Sequence, residues 1–590
     1  MKAVYTLVKK LWTFLANSRA VWALFVAFLW VFVLGFLAHM SMVHAATGIP
    51  STADPSVIDK AFEIRAFPET VPENVLPKVD EPVKITAPEA HEVTFTFVGL
   101  EVSGTVYPKW DTLHIYERLK DTGVSMATLY QIKQAITVKY RNDGYILAQA
   151  YISPQDIIDG RVKYHVDEGR ISHVSFNGDM PKDNDLIYKI ANRLTKIQPI
   201  NVKDIERALL LINDLGGITA KSVLKPTDEK SVAELAITIE KDKTEYSTAV
   251  DNWGSRYLGP WQVTGEARIN NLTGEYDTLG ARYIRAGMAS ELDLWEFSHT
   301  LPLNKFGTKF TARASKTKTQ PGYDLTGLEV QGDTINFEAY LTHPLIRTRA
   351  HSLSVRAGLD YLDSKIDNFG GRVSADKLRV ARAGANYEMV DKFKGINVVD
   401  AEYSYGLDLN NASRAGDTKL SRTRGVGSSF HKGKVDVARL QSLAPHLNLL
   451  IALSGQFSSH ALLASEEFTF GGSAFGKGYD PAEITGDHGI ASKVELHYNF
   501  TTDLLDWMKL DVGAFQVFTF YDVGAVFNKD REALDPKKKT AASAGFGLRA
   551  QLGDSVQGSI EFAKPLTREV ASQGEREKKP SIFFRLKGEF

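Results

Sequence analysis

From residue 246 onward the chain is built of segments in which apolar and polar residues alternate one for one. Val494, Leu496, Tyr498 and Phe500 alternate with Lys493, Glu495, His497 and Asn499; Ile335, Phe337, Ala339 and Leu341 alternate with Asn336, Glu338, Tyr340 and Thr342. Phe310, Ala312 and Ala314 do the same against Lys309, Thr311 and Arg313, as do Ala401, Tyr403 and Tyr405 against Glu402 and Ser404. A period of two places the two sets on opposite faces of a strand. Gly, Asn, Asp and Pro clusters separate the segments, and helical periodicity is nearly absent. Two architectures give this pattern. A soluble sandwich buries the apolar face in a core, whereas a transmembrane barrel turns it to lipid and the polar face to a wet lumen.

Residues 93–242 read differently, as two passes of a βααβ-like order that suggest a diverged internal repeat. In the first, Val93 to Val98 is expected as a strand, 112–120 and 126–140 as helices, and 145–152 and 162–166 as returning strands. The second pass expects a strand at 171–176 and a helix over 186–194 with Ile187, Ile190 and Leu194 at helical spacing. Asn201 is the expected cap of a helix through Leu215, stopped by Gly216, and strands at 218–224 and 232–239 close a small sheet.

Before these passes, Pro50, Pro55, Pro68, Pro72, Pro77, Pro82 and Pro88 exclude any long helix or central strand and mark an extended arm. Asp54-Pro55 can start a short helix over 56–65, with Val57, Ile58, Ala61 and Phe62 on one face. Such a helix needs a surface to dock against. At the N-terminus, Lys2, Lys9, Lys10 and Arg19 precede an apolar run from Val21 to Ala38 and the small residues around Ala45 and Ala46. This is a long secretory signal with cleavage expected after Ala45; the alternative is an uncleaved inner-membrane anchor, because the run is about long enough to span a bilayer. The expected division is therefore a signal at 1–45, a short helix and arm at 46–92, α+β units at 93–169 and 170–243, and strands at 244–590.

Composition narrows the function classes. A formal net charge of -1 over 590 residues gives no field that favours nucleic acid. The absence of cysteine removes disulfides, thiolate metal sites and cysteine nucleophiles. The 14 histidines show no His-Glu-x-x-His spacing, and no phosphate-binding glycine loop is present. Glu483 and Asp487 near His488 read as solvated loop charges rather than an acid/base pair. No catalytic residue, metal or cofactor is expected.

The last strand separates the two architectures. Ile582, Phe584, Leu586, Gly588 and Phe590 share one face and Phe583, Arg585, Lys587 and Glu589 the other, which resembles the closing strand and assembly signal of bacterial outer-membrane barrels, with Phe590 as the terminal aromatic. Sixteen strands leave roughly 21 to 22 residues per strand with its connection, a natural spacing for tilted strands of about 9–11 residues. Phe470-Gly471-Gly472-Ser473-Ala474-Phe475-Gly476-Lys477-Gly478-Tyr479, followed by Gly486-Asp487 and the strand 493–500, resembles loop six of two-partner secretion transporters, the exporters of haemolysins and filamentous haemagglutinins within the Omp85 superfamily. Phe520-Tyr521-Asp522-Val523-Gly524 resembles the motif on the inner wall that this loop meets. The family has arginine where this chain has Lys477, which keeps the charge and loses the bidentate fork. Asp143-Gly144-Tyr145, Pro154-Gln155, Gly160 and Val166-Asp167-Glu168-Gly169 resemble the end of the first periplasmic POTRA domain. Val250-Asp251-Asn252-Trp253-Gly254, with Gly259 and Gln262, resembles the first barrel strand.

The resemblance implies a transmembrane antiparallel β-barrel of about 16 strands preceded by two POTRA-like domains. It implies that Gly476, Lys477, Gly478 and Tyr479 fold into the lumen against Phe520, Asp522 and Gly524, with Lys477 paired to Asp522; the alternative leaves Lys477 a solvated loop lysine. The implied partners are a secreted protein, β-helical and unfolded in transit, together with outer-membrane lipid and the barrel assembly machinery. An assembly factor of the same superfamily is the alternative function, and a passive porin fits less well because it needs no periplasmic domains.

Overall fold

The computed structural model describes residues 50–62, 94–104, 115–182, 184–287, 291–422, 426–500, 512–529, 536–553, 555–573 and 578–590. The expected signal segment, residues 46–49 and 63–92 of the arm with the end of the helix expected over 56–65, Val93 of the first strand, and the first part of the helix expected over 112–120 lie outside these residues. The first described helix, α1 (Pro55–Ala61), starts at Asp54, whose carboxylate accepts the Ser56 N–H at 2.9 Å.

The first α/β unit is organised by α2 (Met126–Asn142), capped by the Ser125 hydroxyl. Leu129, Ile132, Ile136 and Tyr140 recur every three or four residues and bury one helix face against Ala148, Ala150, Val162, Tyr164 and Val166. The strands Gly99–Ser103, Arg161–Asp167 and Gln149–Ile152 form its sheet with Arg161–Asp167 central, and Thr94–Phe97 pairs separately with Thr122–Ser125. The second unit repeats the plan. Val232–Lys241 lies between Arg170–Gly178 and Ile218–Pro226, with α3 (Leu186–Ala191) and α4 (Val202–Asn213) packed on the sheet. Asn201 caps α4 in a reciprocal capping box with Asp204. Both helices end earlier than their patterns suggest. The 186–194 segment breaks at Asn192 into a 3-10 turn at Leu194–Lys196, and the other helix ends at Asn213.

Sixteen strands then close into an antiparallel barrel. In order they are β1 (Thr244–Asp251), β2 (Gln262–Asn270), β3 (Thr278–Ala286), β4 (Leu292–Pro302), β5 (Lys309–Thr319) and β6 (Gln331–Arg347). These are followed by β7 (His351–Asn368), β8 (Gly371–Val390), β9 (Gly395–Gly406), β10 (His431–Ala444) and β11 (Leu447–Ser458). The wall ends with β12 (His488–Phe500), β13 (Val512–Phe527), β14 (Lys538–Leu552), β15 (Val556–Pro565) and β16 (Ser581–Glu589). The segment resembling a family first strand straddles an element boundary: Val250 and Asp251 end β1, Trp253, Gly254 and Gly259 lie in the following turn, and Gln262 starts β2.

The burial pattern is the reverse of a soluble protein's and settles the choice between sandwich and membrane barrel. On β12, Lys493, Glu495 and His497 are buried while Leu496 is exposed; on β6, Asn336 is buried while Ile335, Phe337 and Leu341 are exposed. Phe590 exchanges both backbone hydrogen bonds with Tyr246 (2.8 and 3.0 Å), closing the seam between β16 and β1, and the residue is 77% exposed.

The second α/β unit is attached to the end of the barrel from which β1 starts. Arg347 grips the Asp214 carboxylate at 2.6 and 2.9 Å, Arg207 donates to the Pro344 carbonyl at 3.0 Å, and Tyr276 inserts into the unit's own core with its hydroxyl on Asp185 at 2.5 Å.

Candidate site in the barrel lumen

The connection between β11 and β12, residues 459–487, folds inward as a hairpin whose short strands Phe468–Phe470 and Ile484–Gly486 pair with each other. Its tip holds Gly476, Lys477, Gly478 and Tyr479, and its apolar side packs Phe468, Phe470, Phe475, Tyr479 and Ile484 against wall residues Ala452, Ala491, Val526 and Ala541.

Glycines make the close approach possible. Gly476 has a φ of +85° and a Cβ there would lie 2.6 Å from the Phe470 ring; a Cβ at Gly524 would lie 2.2 Å from the same ring. The Phe470 side chain therefore occupies space left free by the loop glycine and the wall glycine together. Gly478 has Ser543 and the backbone of residues 564 and 565 at its door, within 3.0 Å. Tyr479, fully buried, donates its hydroxyl to the Ala542 carbonyl at 3.0 Å.

Lys477 is buried, not solvated, and its charge is met differently from the pairing the family resemblance implies. Asp522 Oδ2 accepts the backbone N–H groups of Gly476 and Lys477 at 3.0 and 2.9 Å. The Lys477 ammonium passes on to Glu561 on β15 at 2.8 Å and Glu495 on β12 at 3.0 Å. The reason is physical. Asp522 is committed to two amides and stands opposite Lys493 in the register of β12 and β13, whereas a flexible lysine stem reaches the deeper carboxylates. On its way the ammonium lies 4.7 and 4.8 Å from the ring centres of Phe518 and Phe520, a cation–π floor on β13. Those two rings in turn lie over Gly547 and Gly545 of β14. Burial lowers the affinity of Lys477 for its proton, but Glu495 and Glu561 outweigh it and hold the ammonium's pKa above its ordinary value.

A second charge cluster joins three elements at Glu466, which is 2% exposed. It receives Lys60 of α1 at 2.6 Å, Arg382 of β8 at 2.8 Å and Lys432 of β10. Burial disfavours the charged carboxylate, yet Arg382, Lys432 and Lys60 hold it well below the usual carboxylate range. The docking surface that α1 requires is thus the barrel's inner wall: Asp59 accepts from Thr317 at 2.8 Å and from Ser315, and Ile58 joins an apolar cluster with Tyr257, Leu258, Ile284 and Leu294.

The loop acids are also buried rather than solvated. Asp487 accepts the Leu462 and Lys529 N–H groups at 2.7 and 2.8 Å and pairs with Arg422 at 2.5 Å. Glu483 accepts the Ala571 N–H at 2.8 Å, and Asp480 takes the Ser572 hydroxyl. Burial pushes Asp480 up to about 6; burial and then the charge of Asp480 push Glu483 up to about 8.

The loop residues Gly476, Lys477, Gly478 and Tyr479 and the wall residues Phe520, Asp522 and Gly524 thus meet in one cluster; Phe590 stands apart at the seam. Glu466 and Glu561 were not distinguishable in sequence. A signal for Glu495 did exist: a Lys-x-Glu-x-His row on the lumen-facing parity of one strand concentrates more charge than an inert wall needs.

A closed barrel of sixteen strands with its lumen occupied by an inward hairpin and a short helix, preceded by small α/β units, defines a protein-translocating barrel of the outer membrane. The chain belongs to the haemolysin secretion/activation family ShlB/FhaC/HecB, whose model matches residues 231–550, and a ShlB-type POTRA domain model matches residues 95–169. It lies in the outer membrane with its POTRA region in the periplasm. The heme/hemopexin transporter protein HuxB of Haemophilus influenzae (strain 86-028NP) is 24% identical over 547 residues, covering 91% of this chain and 94% of that protein. The outer membrane transporter CdiB of Escherichia coli O6:K15:H31 (strain 536 / UPEC) is 24% identical over 459 residues, 75% of this chain and 74% of its own. Among solved structures, CdiB from Escherichia coli superposes with a TM-score of 0.70 at 20% identity, over 86% of this chain and 94% of that one. CdiB from Acinetobacter baumannii gives 0.63 at 15% identity, over 93% and 100%.

Proposed function

We propose that this protein captures an unfolded partner protein in the periplasm and passes it through its barrel to the cell surface. The observation that carries this reading is a barrel with periplasmic sheet units at one end and a lumen filled by an inward hairpin and by a short helix held largely through replaceable polar contacts. A passive porin requires neither feature. The partner is a large secreted protein, β-helical once outside, as fits a chain threaded in extended form. The barrel itself reaches the membrane through the barrel assembly machinery, with Phe590 as part of the signal.

Capture follows from sheet edges. In the first unit Gly99–Ser103 and Gln149–Ile152 are edge strands, and in the second Arg170–Gly178 and Ile218–Pro226 are. An edge offers unpaired backbone groups to an extended client, which gives affinity through main-chain bonds and selectivity through alternate side-chain pockets. Loop six, seated by Lys477 and Asp522, sets the state of the channel. The test is secretion of a partner protein co-expressed with this chain. Deleting residues 94–242, with barrel insertion verified by heat modifiability, is expected to abolish export; normal export by that variant ends the capture model.

A further inference from the structure

The outer surface of the barrel carries an uneven feature at its extracellular end. Register places Tyr405, His431, Phe457, His488, Phe527 and Lys538 side by side in a row crossing β9 to β14 on the lipid-facing side. Tyr405 is opposite His431, His488 is opposite Phe527, and Phe527 is opposite Lys538. The row alternates aromatic and basic groups. His431 stacks on Tyr405 at 4.7 Å and its Nδ1 contacts the Tyr403 hydroxyl at 2.5 Å; His488 stacks on Phe457 at 4.8 Å; the Lys538 ammonium lies 5.7 Å from the Phe527 ring centre.

His488 Nδ1 accepts the Ser458 N–H at 3.1 Å, so the proton of the neutral ring sits on Nε2 and is available as a donor. Exposed Lys529, Lys537 and His460 stand just beyond the row. Among the described residues no carboxylate shares this part of the lipid-facing surface: the acids of the same strands, Asp400, Glu402, Asp436, Glu495 and Asp522, are on the lumen parity, Asp487 is buried on Arg422, and exposed Asp408 in the loop beyond β9 is paired with Arg414.

Directly membraneward of the row the surface changes to Val435, Leu453 and Ile490, all exposed, around two glycines. A Cβ at Gly433 or at Gly455 would meet nothing within 4 Å, and these residues lie on neighbouring strands, with Gly433 opposite Phe457 and Gly455 opposite Val435. Together they floor an open, apolar depression beneath the Phe457 ring, which is itself 69% exposed.

We propose that this face binds a phosphorylated, multiply acylated glycolipid of the outer leaflet. Its phosphates lie on the basic groups of the row and one acyl chain lies in the depression. Charge complementarity selects the occupant: Lys538, with exposed Lys529 and Lys537 beside it, gives this end of the face its positive charge and the neutral His488 ring offers its Nε2–H to a phosphate oxygen, whereas a zwitterionic phospholipid would bring a further cation to the lysines. His431 and His488 are two strands apart, as are His488 and Lys538, so the donors are spaced by about 10 Å. That separation suits phosphates at the two ends of a disaccharide.

The test is native mass spectrometry of the full-length detergent-solubilised protein titrated with bisphosphoryl lipid A, with enzymatically dephosphorylated lipid A, and with phosphatidylethanolamine. The parent is expected to retain bisphosphoryl lipid A at least tenfold better than either other lipid. The variant carrying His431→Gln, His488→Gln and Lys538→Gln is expected to lose that preference while keeping a heat-modifiable barrel. Gly455→Leu, which fills the depression without touching a charge, is expected to weaken binding several-fold. Equal retention of phosphorylated and dephosphorylated lipid by the parent overturns the proposal, and this arm needs no variant to fold. Binding within twofold of the parent by the triple variant overturns it as well.

Discussion

Replacing Lys477 by methionine removes one positive charge from a buried cluster while keeping most of the stem's volume. The cluster holds Lys477, Lys493 and Arg549 against Glu495, Glu561 and Asp522, so its formal charges balance and the variant leaves one carboxylate in excess. The loss is unevenly shared. Glu495 retains His497 at 2.9 Å and Arg549 at 3.2 Å, whereas Glu561 loses its ammonium partner at 2.8 Å. Breaking a dry ion pair from one side costs about 3–5 kcal/mol; with a wet lumen nearby and cations remaining on Glu495, about 1–3 kcal/mol is the reasonable figure here. Glu561→Gln in the same chain removes the orphaned charge, so the double variant should be less damaged than the sum of the singles, with a coupling of about 0.5–3 kcal/mol. Asp522→Asn should be milder than Lys477→Met, because its remaining carbonyl oxygen still accepts a backbone N–H. The assay is the thermal transition of the purified barrel on semi-native gels, read beside secreted partner per assembled barrel. Lys477→Arg is expected to retain export, since its separate N–H groups can serve both glutamates. Strictly additive losses for Lys477→Met and Glu561→Gln, with no retention by arginine, would refute the reasoning.

Glu483 gives a pH dependence with a definite sign: its pKa is raised in the folded loop to about 8 against about 4.3 when unfolded, so its protonated form is bound by the fold, and stability falls as pH rises between those values. Acidification from pH 8 to 5 is therefore expected to raise the unfolding temperature, and Glu483→Gln to flatten that part of the profile; an unaltered profile counts against it. Deleting Phe590 removes both backbone bonds to Tyr246 and should reduce the heat-modifiable barrel recovered in outer membranes, a loss that Phe590→Tyr should not reproduce. Lys60→Met should speed amide exchange in α1 with little change in the 468–486 hairpin, because Glu466 keeps Arg382 and Lys432; equal loosening of both would show that they unseat together.

What could be read from the chain and what could not divides along a physical line. Strand parity was legible because a period of two is local: Asp522 and Lys493 face the lumen as the alternation of their own strands requires. Helix caps were legible for the same reason, as Asn201 demonstrates. The partner of Lys477 was not, since Glu495 and Glu561 come from strands 66 positions apart and meet through the barrel's curvature. Similarly, Glu483 and Asp487 look like loop charges until residues 566–573 and Arg422 fold over them. The Phe470 ring filling the gap between Gly476 and Gly524 explains why the wall motif ends in glycine, but the pairing emerges only when the hairpin is folded.

The two elements in the lumen are bonded in unlike ways, and this orders their release. Loop six carries an aromatic side that fits glycine gaps in the wall, and its lysine ends in carboxylates away from the mouth; withdrawing it exposes Phe468, Phe470 and Tyr479 and orphans Glu561 together. Helix α1 has only Pro55–Ala61 to offer, with a small apolar contact around Ile58 and polar contacts through Asp59 and Lys60. Water can replace those polar contacts at modest cost as a wet lumen opens, and Glu466 loses one of three cations rather than its last. Charge redundancy at Glu466 lets α1 depart without leaving a bare carboxylate in the wall, whereas Lys477 has no such stand-in at Glu561. The helix is therefore the element whose exit costs less, and withdrawal of the hairpin the costlier step.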